Sequence, residues 1–151
     1  MIKLEKINEK NYLAVCKLEL PEEQSGFVQP AAFILARTLA MRAQNAVSYA
    51  IVSGGTVVGV IMTKELAEEP ACYTIEELLI GRQFQNRGYG TAALLKTLGM
   101  LAARRKYETV EICVKKADAA AVRLYEKCGF SDSGYTDPQT PDCLILSYKF
   151  H

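Results

Sequence analysis

The segment at residues 56–63, TVVGVIMT, constrains the fold of this chain more than any other. It is apolar at almost every position, whereas a strand with one face in water alternates apolar and polar residues. Another strand-like segment, residues 46–52, precedes it, and Ser53-Gly54-Gly55 between the two is typical of a hairpin turn. The sequence therefore predicts a hairpin whose second strand lies in the centre of a sheet.

The rest of the chain alternates between strand-like and helix-like patterns. Strands are predicted at residues 2–7, 71–80, 108–114, 130–135 and 143–150. Helices are predicted from Asn8 to about Leu20, from Pro30 to about Ala43, over 88–106 and over 118–128. The order β-α-α-β-β-β-α-β-α-β-β indicates an α+β (mixed α/β) fold. No linker or repeat divides residues 1–151, so a single domain is expected.

Composition excludes several classes of protein. Of the 151 residues, 50% are hydrophobic and 23% are charged, which is unlike a disordered chain. No apolar run reaches the ~18–20 residues of a membrane span, and no apolar signal segment is visible near Met1, so no membrane association is expected. Lys and Arg (18) nearly balance Asp and Glu (17), so the net charge predicts no nucleic-acid partner.

The cysteines are odd in number and scattered, and none are spaced C-x-x-C. They are Cys16, Cys72, Cys113, Cys128 and Cys143. This spacing disfavours a zinc site and a disulfide framework, so no metal is expected and a reduced, cytoplasmic protein is predicted. A catalytic Cys–His pair is disfavoured as well, because the only histidine is His151.

A glycine-rich segment, Gln85-Asn86-Arg87-Gly88-Tyr89-Gly90, lies between a predicted strand and the long helix over 88–106. The glycines lack the Cβ atoms that would block a ligand, and the first helical turn offers unpaired N–H groups at the positive end of the helix dipole. Such a segment suits a diphosphate, to which Arg87 can add charge-assisted hydrogen bonds. Taken alone, it also fits a glycine-rich helix start without a ligand. It is not the dinucleotide pattern G-x-G-x-x-G, because residue 93 is Ala.

A second motif, Leu124-Tyr125-Glu126-Lys127-Cys128-Gly129-Phe130, closes the next predicted helix. Together the two motifs resemble those of the GNAT superfamily of acyl-CoA-dependent N-acyltransferases. In that family [QR]-x-x-G-x-[GA] opens a long helix, and L-Y-x-x-x-G-F closes the following one. The element order resembles the family over the whole chain, and the motifs cover about residues 78–130.

The resemblance implies an acetyl-CoA-dependent N-acetyltransferase with a mixed, mostly antiparallel sheet flanked by helices. It implies that the backbone amides of Gln85–Gly90 bind the pyrophosphate of acetyl-CoA. The exposed backbone of Leu78, Leu79 and Ile80 would pair with the pantetheine arm, where this strand diverges from the next one. The family often has Asn where this chain has Asp118, and an aspartate caps a helix but cannot donate as an amide does. Family members often form dimers, so the resemblance also allows a homodimer.

Tyr125 matches the family tyrosine that protonates the departing CoA thiolate. A thiol has an ordinary pKa of about 8.5 and a phenol one of about 10, so a phenol held beside the sulfur can donate a proton as the C–S bond breaks. Packing in the core is the alternative role for Tyr125, which lies on the apolar face of its predicted helix.

The accepting amine must lose a proton, which costs about 4.6 kcal/mol at pH 7 for an amine of pKa about 10.4. A carboxylate, acting directly or through water, offsets part of this cost. Glu76 and Glu77 are the candidates. Successive strand residues point to opposite faces, so only one of the two is expected to face the cleft. A solvated acidic strand end is the alternative.

The segment Gln24-Ser25-Gly26-Phe27-Val28 resembles the bacterial polyamine (spermine/spermidine, or diamine) acetyltransferases. In the GNAT fold this region lines the acceptor side of the cleft, which implies substrate-binding roles for Glu22, Glu23, Gln24 and Phe27. The favoured acceptor is therefore a polyamine. An aminoglycoside, an amino acid or a protein N-terminus is the alternative acceptor. Outside the enzyme class, the alternatives are a non-catalytic acyl-CoA-binding regulatory module and a nucleotide- or sugar-phosphate-binding protein.

Overall fold

The computed structural model of this protein describes residues 1–22 and 26–151. Within these ranges the chain forms seven strands and four α-helices. They are β1 (Ile2–Lys6), α1 (Tyr12–Cys16), α2 (Ala31–Ala40), β2 (Val47–Ser53), β3 (Thr56–Leu66), β4 (Cys72–Ile80), α3 (Tyr89–Arg104), β5 (Thr109–Lys115), α4 (Ala119–Lys127), β6 (Ser131–Asp132) and β7 (Cys143–Lys149). Short 3₁₀ turns follow α2 at Arg42–Gln44 and β4 at Arg82–Phe84.

The described strands form one sheet in the order β1-β2-β3-β4-β5-β7-β6. Within it, β4 and β5 pair in parallel and the other neighbours pair antiparallel. The fold is therefore the expected mixed, mostly antiparallel α+β arrangement. A crossover through α3 is what makes β4 and β5 parallel, because two strands that run in the same direction need a long connection.

Strand β3 is covered on both sides, as its apolar sequence predicts. Val58 and Ile61 belong to a core that also contains residues of α3 and α4, whereas Val60 and Met62 belong to a core with residues of α1 and α2. The β2–β3 turn is formed by Gly54 and Gly55, which both have positive φ angles (54° and 80°). A tight hairpin with this twist requires positive φ at both positions, where glycine has no Cβ to clash.

Two predicted elements are shorter in the structure. The first helix ends at Cys16, not near Leu20, and the Glu19 carbonyl instead accepts a hydrogen bond from the Arg82 N–H (2.8 Å). The strand predicted at 130–135 is confined to Ser131–Asp132, because the Asp132 side chain accepts from the Gly134 N–H (2.9 Å) and turns the chain there. The ends of α1 and β6 therefore depend on hydrogen bonds, which cannot be predicted from the spacing of apolar residues.

Candidate active site

Strands β4 and β5 diverge in the middle of the sheet. Their parallel ladder runs from Tyr73 opposite Val110 to Ile75 opposite Ile112 and stops there. β4 continues to Ile80 and β5 to Lys115 without pairing to each other. The divergence leaves a gap between the carboxyl halves of the two strands, with backbone groups of β4 facing it. The strands therefore diverge next to residues 78–80, where the Ile80 carbonyl accepts a hydrogen bond from Gln85 Nε2 (2.6 Å).

A β-bulge lies on β4 where the gap begins. Met62 lies opposite Glu77 and Thr63 opposite Ile75, so Glu76 is an additional residue in the strand. A bulge interrupts the alternation of side chains along a strand. Glu76 and Glu77 consequently line the same cavity, and the expectation that only one of them faces the cleft is wrong.

The glycine-rich segment forms a row of free hydrogen-bond donors before α3. Within the described chain, the N–H groups of residues 86–91 donate to no protein acceptor, and the first bond of the helix runs from Ala92 to the Gly88 carbonyl (3.0 Å). Asn86 and Gly88 have positive φ angles (62° and 80°), and Arg87 between them does not. Such alternation turns successive N–H groups toward one side and makes a concavity that suits an anion. We call this segment, residues 86–91, the amide cradle.

A cavity of about 440 Å³ connects the gap and the amide cradle. Its walls come from β4, the start of α3, β5, α4 and the segment before α2. The lining residues are Phe27, Val28, Ile75, Glu76, Glu77, Leu78, Ile80, Phe84, Gln85, Asn86, Gly88, Tyr89, Gly90, Thr91, Ile112, Cys113, Val114, Lys115, Asp118, Ala120, Ala121, Leu124, Tyr125 and Cys143. We call it the main cavity.

A second cavity of about 320 Å³ adjoins the gap next to α2. It is lined by Gln29, Phe33, Arg37, Ile75, Glu76, Glu77 and Cys113, so four of its residues also line the main cavity. The two glutamates therefore lie where the cavities meet. We call this second space the side cavity.

The two glutamates differ in their partners. Glu76 accepts a hydrogen bond from Arg37 of α2, with Nη2 and Oε1 2.7 Å apart and only 16% of the glutamate side chain exposed. Glu77 has no ion-pair partner within 4 Å among the described residues. A guanidinium stays charged at any pH that a protein survives, so Glu76 has a permanent positive charge beside it.

Burial raises the pKa of Glu77 from its ordinary 4.5 to about 7. The charge of Glu76 raises it as well, whereas the Arg37 charge and a backbone hydrogen bond from Gln29 lower it. Desolvation disfavours the charged form of a carboxyl group and is the dominant effect here. A group with this pKa exchanges its proton near neutral pH, which suits a general base.

Tyr125 lies in the last turns of α4 and is 8% exposed. Its ring packs edge-on against Phe130, with centroids 6.0 Å apart. Burial raises the pKa of its hydroxyl well above the ordinary value, and the charges of Asp118 and Glu77 add to the effect. The hydroxyl has no hydrogen-bond partner among the described residues, and Tyr125 lines the main cavity, so it combines core packing with a protonated hydroxyl at the cavity wall.

Asp118 is the N-cap of α4. Its Oδ1 accepts a hydrogen bond from the Ala121 N–H (3.2 Å), which occupies one carboxylate oxygen with the helix start. The residue also lines the main cavity. Capping accounts for an Asp or an Asn at this position equally well, since both side chains accept such a bond.

Other predicted site residues lie away from the main cavity. The Leu79 side chain is buried in the core with α1 and α2, and the Arg87 side chain is exposed and does not line the cavity. Glu22 is exposed and lines neither cavity. Phe27 lines the main cavity, whereas Glu23 and Gln24 lie outside the described residues.

The family assignment comes from a comparison of the whole sequence. The profile of the Acetyltransferase (GNAT) family matches residues 12–130, which is more than half of the chain and includes both motifs. The chain belongs to the GNAT acetyltransferase family. A search of curated proteins finds no match to this sequence.

Solved structures of other GNAT proteins share the fold of this acetyltransferase. The PaiA N-acetyltransferase of Thermoplasma acidophilum, in complex with coenzyme A, is 14% identical, with a TM-score of 0.73 over 99% of each chain. A putative GNAT acetyltransferase of Desulfovibrio desulfuricans is 15% identical, with a TM-score of 0.76 and the same coverage. The aminoglycoside acetyltransferase AAC(6')-Ib, in complex with coenzyme A, is 16% identical, with a TM-score of 0.78 over 99% of this chain and 95% of its own.

Sequence reasoning misses several residues of this GNAT site. Arg37, Cys113 and Lys115 line the cavities, yet no local motif marks them. The alternation of β5 offers one signal, because Cys113 and Lys115 point to the face opposite its core residues Val110, Ile112 and Val114. In the described part of the acetyltransferase, no helix is both long and apolar enough to cross a membrane.

Proposed function

We propose that this GNAT protein transfers the acetyl group of acetyl-CoA to a primary amine. The observation that carries the proposal is the meeting of the two cavities at Glu76 and Glu77, with the amide cradle at the far end of the main cavity. The main cavity then takes the acyl donor and the side cavity takes the amine, so that the two reactants approach each other beside a carboxylate.

The amide cradle is the proposed site of the diphosphate of acetyl-CoA. Its six free N–H groups precede and begin a helix of 16 residues, and both the donors and the helix dipole favour an anion. From there the backbone of residues 78–80 leads along the gap toward Glu77, and its groups other than the Ile80 carbonyl, which accepts from Gln85 Nε2 (2.6 Å), are the proposed partners of the pantetheine arm.

Glu77 is the proposed general base. The ammonium form of the acceptor gives its proton to the Glu77 carboxylate, directly or through water, and the amine nitrogen then forms a bond to the thioester carbonyl carbon. Because the pKa of Glu77 lies about 7, roughly half of the enzyme holds this carboxyl ionised at pH 7. A carboxyl group with the ordinary pKa would be almost fully ionised at pH 7, but it would bind the proton of the amine less strongly.

Tyr125 is the proposed general acid. As the C–S bond breaks, its hydroxyl gives a proton to the CoA thiolate, and the phenolate regains a proton from solvent or from Glu77. Burial keeps the hydroxyl protonated until that moment, because it disfavours the phenolate in the resting site.

The proposed acceptor is a polyamine. Phe27 and Val28, from the segment that resembles polyamine acetyltransferases, line the main cavity, and Gln29 and Phe33 line the side cavity. Aromatic walls suit the apolar stretches and the charged nitrogens of such a chain. Because Arg37 neutralises Glu76, the uncompensated negative charge at the meeting of the cavities is that of Glu77, which suits a single ammonium group there.

The experiment compares amines under identical conditions with acetyl-CoA. Spermidine, a lysine peptide and ribostamycin are incubated with the enzyme, thiol release is followed spectroscopically, and acetylated products are identified by mass spectrometry. The highest kcat/KM with spermidine supports the proposal. Turnover of the peptide or of ribostamycin alone overturns the polyamine assignment but retains the acetyltransferase. Binding of coenzyme A without thiol release for any amine points to a non-catalytic acyl-CoA-binding module.

A cytoplasmic location and a homodimer belong to the same proposal. The five cysteines are all free, which suits a reducing compartment. Sedimentation of the purified chain tests the oligomeric state.

A further inference from the structure

Arg37 connects α2 to the bulge of β4. Its Nη2 donates to Glu76 Oε1 at 2.7 Å, and its Nη1 lies 4.0 Å from the sulfur of Met62 on β3. Only 29% of the arginine side chain is exposed, so its charge acts in a partly desolvated setting. The residue lines the side cavity together with both glutamates.

The bulge places two carboxyl groups side by side, and such a pair does not ionise independently. Each negative charge raises the pKa of the other, so without further partners the roles of the two groups would be ambiguous. Sites that use two carboxyl groups differently give them different surroundings. Here the surroundings of the two glutamates differ by one ion pair. Arg37 contacts Glu76 directly, whereas it acts on Glu77 only by longer-range electrostatic attraction.

We propose that Arg37 is a positioning residue, which by engaging Glu76 leaves Glu77 as the carboxylate that accepts the amine proton. This inference rests on the proposed function and deepens it, since it states which glutamate acts and why. Arg37 itself takes no proton and need not touch the reacting atoms.

The groups that face Glu77 come from every surrounding element. Arg37 of α2 and the Gln29 N–H lower its pKa, and Glu76 on its own strand raises it. Asp118 and Tyr125 of the α4 region and Lys115 of β5 line the same main cavity. Removing the Arg37 charge eliminates a lowering influence and leaves Glu76 uncompensated. Both changes act in the same direction and keep Glu77 protonated to higher pH.

The test compares the pH profile of kcat, at saturating acetyl-CoA and amine, in wild type, R37Q, R37K and the double variant R37Q/E76Q. In R37Q the acid limb is expected to move up by about 1 pH unit, so that kcat at pH 6 falls about tenfold, while the KM for acetyl-CoA stays unchanged. R37K keeps the charge and is expected to retain most of the wild-type profile. R37Q/E76Q removes both charges and is expected to restore most of it.

The matched control is R104Q. Arg104 is also a helix arginine that bonds to a strand side chain, with Nη2 2.9 Å from the Tyr49 hydroxyl, but it lines neither cavity. R104Q is expected to keep the wild-type pH profile. Thermal unfolding of all variants identifies any that fail to fold. If R37Q is one of them, E76Q and the double variant decide: the acid limb should lie at lower pH in E76Q, where Arg37 acts on Glu77 alone, than in R37Q/E76Q, and equal profiles overturn the inference.

A second readout does not need turnover. The ¹³C chemical shift of the Glu77 carboxyl group, followed by NMR across pH in the substrate-free protein, reports its protonation directly. A higher titration midpoint in R37Q supports the inference, whereas an unchanged midpoint and an unchanged pH profile overturn it. If wild type acetylates no amine, the proposed function is wrong, while the NMR titration still decides the role of Arg37.

Discussion

At the scale of single residues, the site depends on the half-buried Glu77 and the buried Tyr125, which both hold their protons unusually tightly. Glu77 has a pKa raised to about 7 by burial, and burial also raises the pKa of the Tyr125 hydroxyl. Glu77 is suited to receive a proton near neutral pH, and Tyr125 is suited to keep its proton in the resting site and to donate it toward the thiolate as the C–S bond breaks. The two side chains line one cavity from different elements, Glu77 from β4 and Tyr125 from α4.

Replacing Glu77 with Gln removes the proposed base and also a buried charge. We expect kcat to fall about 10²–10⁴-fold and to lose its dependence on pH near 7. The pKa of Glu77 in the folded protein lies above the ordinary 4.5 of the unfolded chain. The folded protein therefore loses stability as the pH rises from 4.5 to about 7, because Glu77 must then give up its proton in the folded state. The variant should therefore be more stable than wild type above pH 7, by on the order of 1–3 kcal/mol.

Urea unfolding of wild type and Glu77→Gln at pH 5 and pH 8 measures this difference. The advantage of the variant should be larger at pH 8, where wild type has an ionised carboxyl in the cavity wall. An advantage that does not change with pH would contradict the raised pKa, and a fully active variant would remove Glu77 from the reaction.

Replacing Tyr125 with Phe removes a hydroxyl and keeps the ring that packs against Phe130. We expect kcat to fall about 10²–10⁴-fold, with the affinity for acetyl-CoA nearly unchanged, because only the proton donor is lost. Tyr135→Phe, at an exposed tyrosine, is the control and should behave as wild type. Turnover by Tyr125→Phe at the wild-type rate would leave Tyr125 with a packing role alone.

At the scale of elements, the amide cradle depends on backbone conformation and not on side-chain chemistry. Its donors are free because α3 begins at Tyr89, and its curvature requires a positive φ at Gly88 (80°). A bulky residue at Gly88 would strain the backbone as well as fill the cradle, since L-amino acids rarely adopt this conformation. Asn tolerates it better than other side chains do, which makes it the appropriate substitution.

Gly88→Asn should weaken binding of coenzyme A by at least about tenfold, because a Cβ at Gly88 projects into open space beside the cradle. The control is Gly54→Asn, which places the same side chain at another positive φ (54°), in the β2–β3 turn, with nothing within 4 Å of its Cβ. Calorimetric titration measures both affinities. Equal affinity in the two variants would show that the cradle does not hold the diphosphate.

At the scale of the whole molecule, a short ladder joins the two halves of the sheet. Strands β4 and β5 share three residue pairs, from Tyr73–Val110 to Ile75–Ile112, and the halves then separate around the main cavity. The face of the sheet under α3 and α4 nevertheless remains packed across the gap, because its core includes residues from β4, β5 and β7. The gap is therefore an open cleft within an otherwise continuous core.

Acetyl-CoA bound in this cleft should protect the two backbone segments that are proposed to hold it. We expect slower amide hydrogen exchange at residues 78–80 and 86–91 when the ligand is present, and unchanged exchange in the β2–β3 turn at Gly54 and Gly55. A ligand at 100 times its Kd should also stabilise the protein by about 2.7 kcal/mol, visible as a higher Tm. A raised Tm without protection at these two segments would place the ligand elsewhere.

Short-range patterns of apolar residues and of glycine are enough to predict the fold class, the central hairpin, the long helix and the glycine-rich segment before it. Which groups meet in the cleft depends instead on contacts between distant parts of the chain. The bulge at Glu76 arises from pairing between β3 and β4, and Arg37 lies 39 positions away from the glutamate it contacts. The burial that raises the pKa of Glu77 likewise comes from elements packed around it, which no local pattern records.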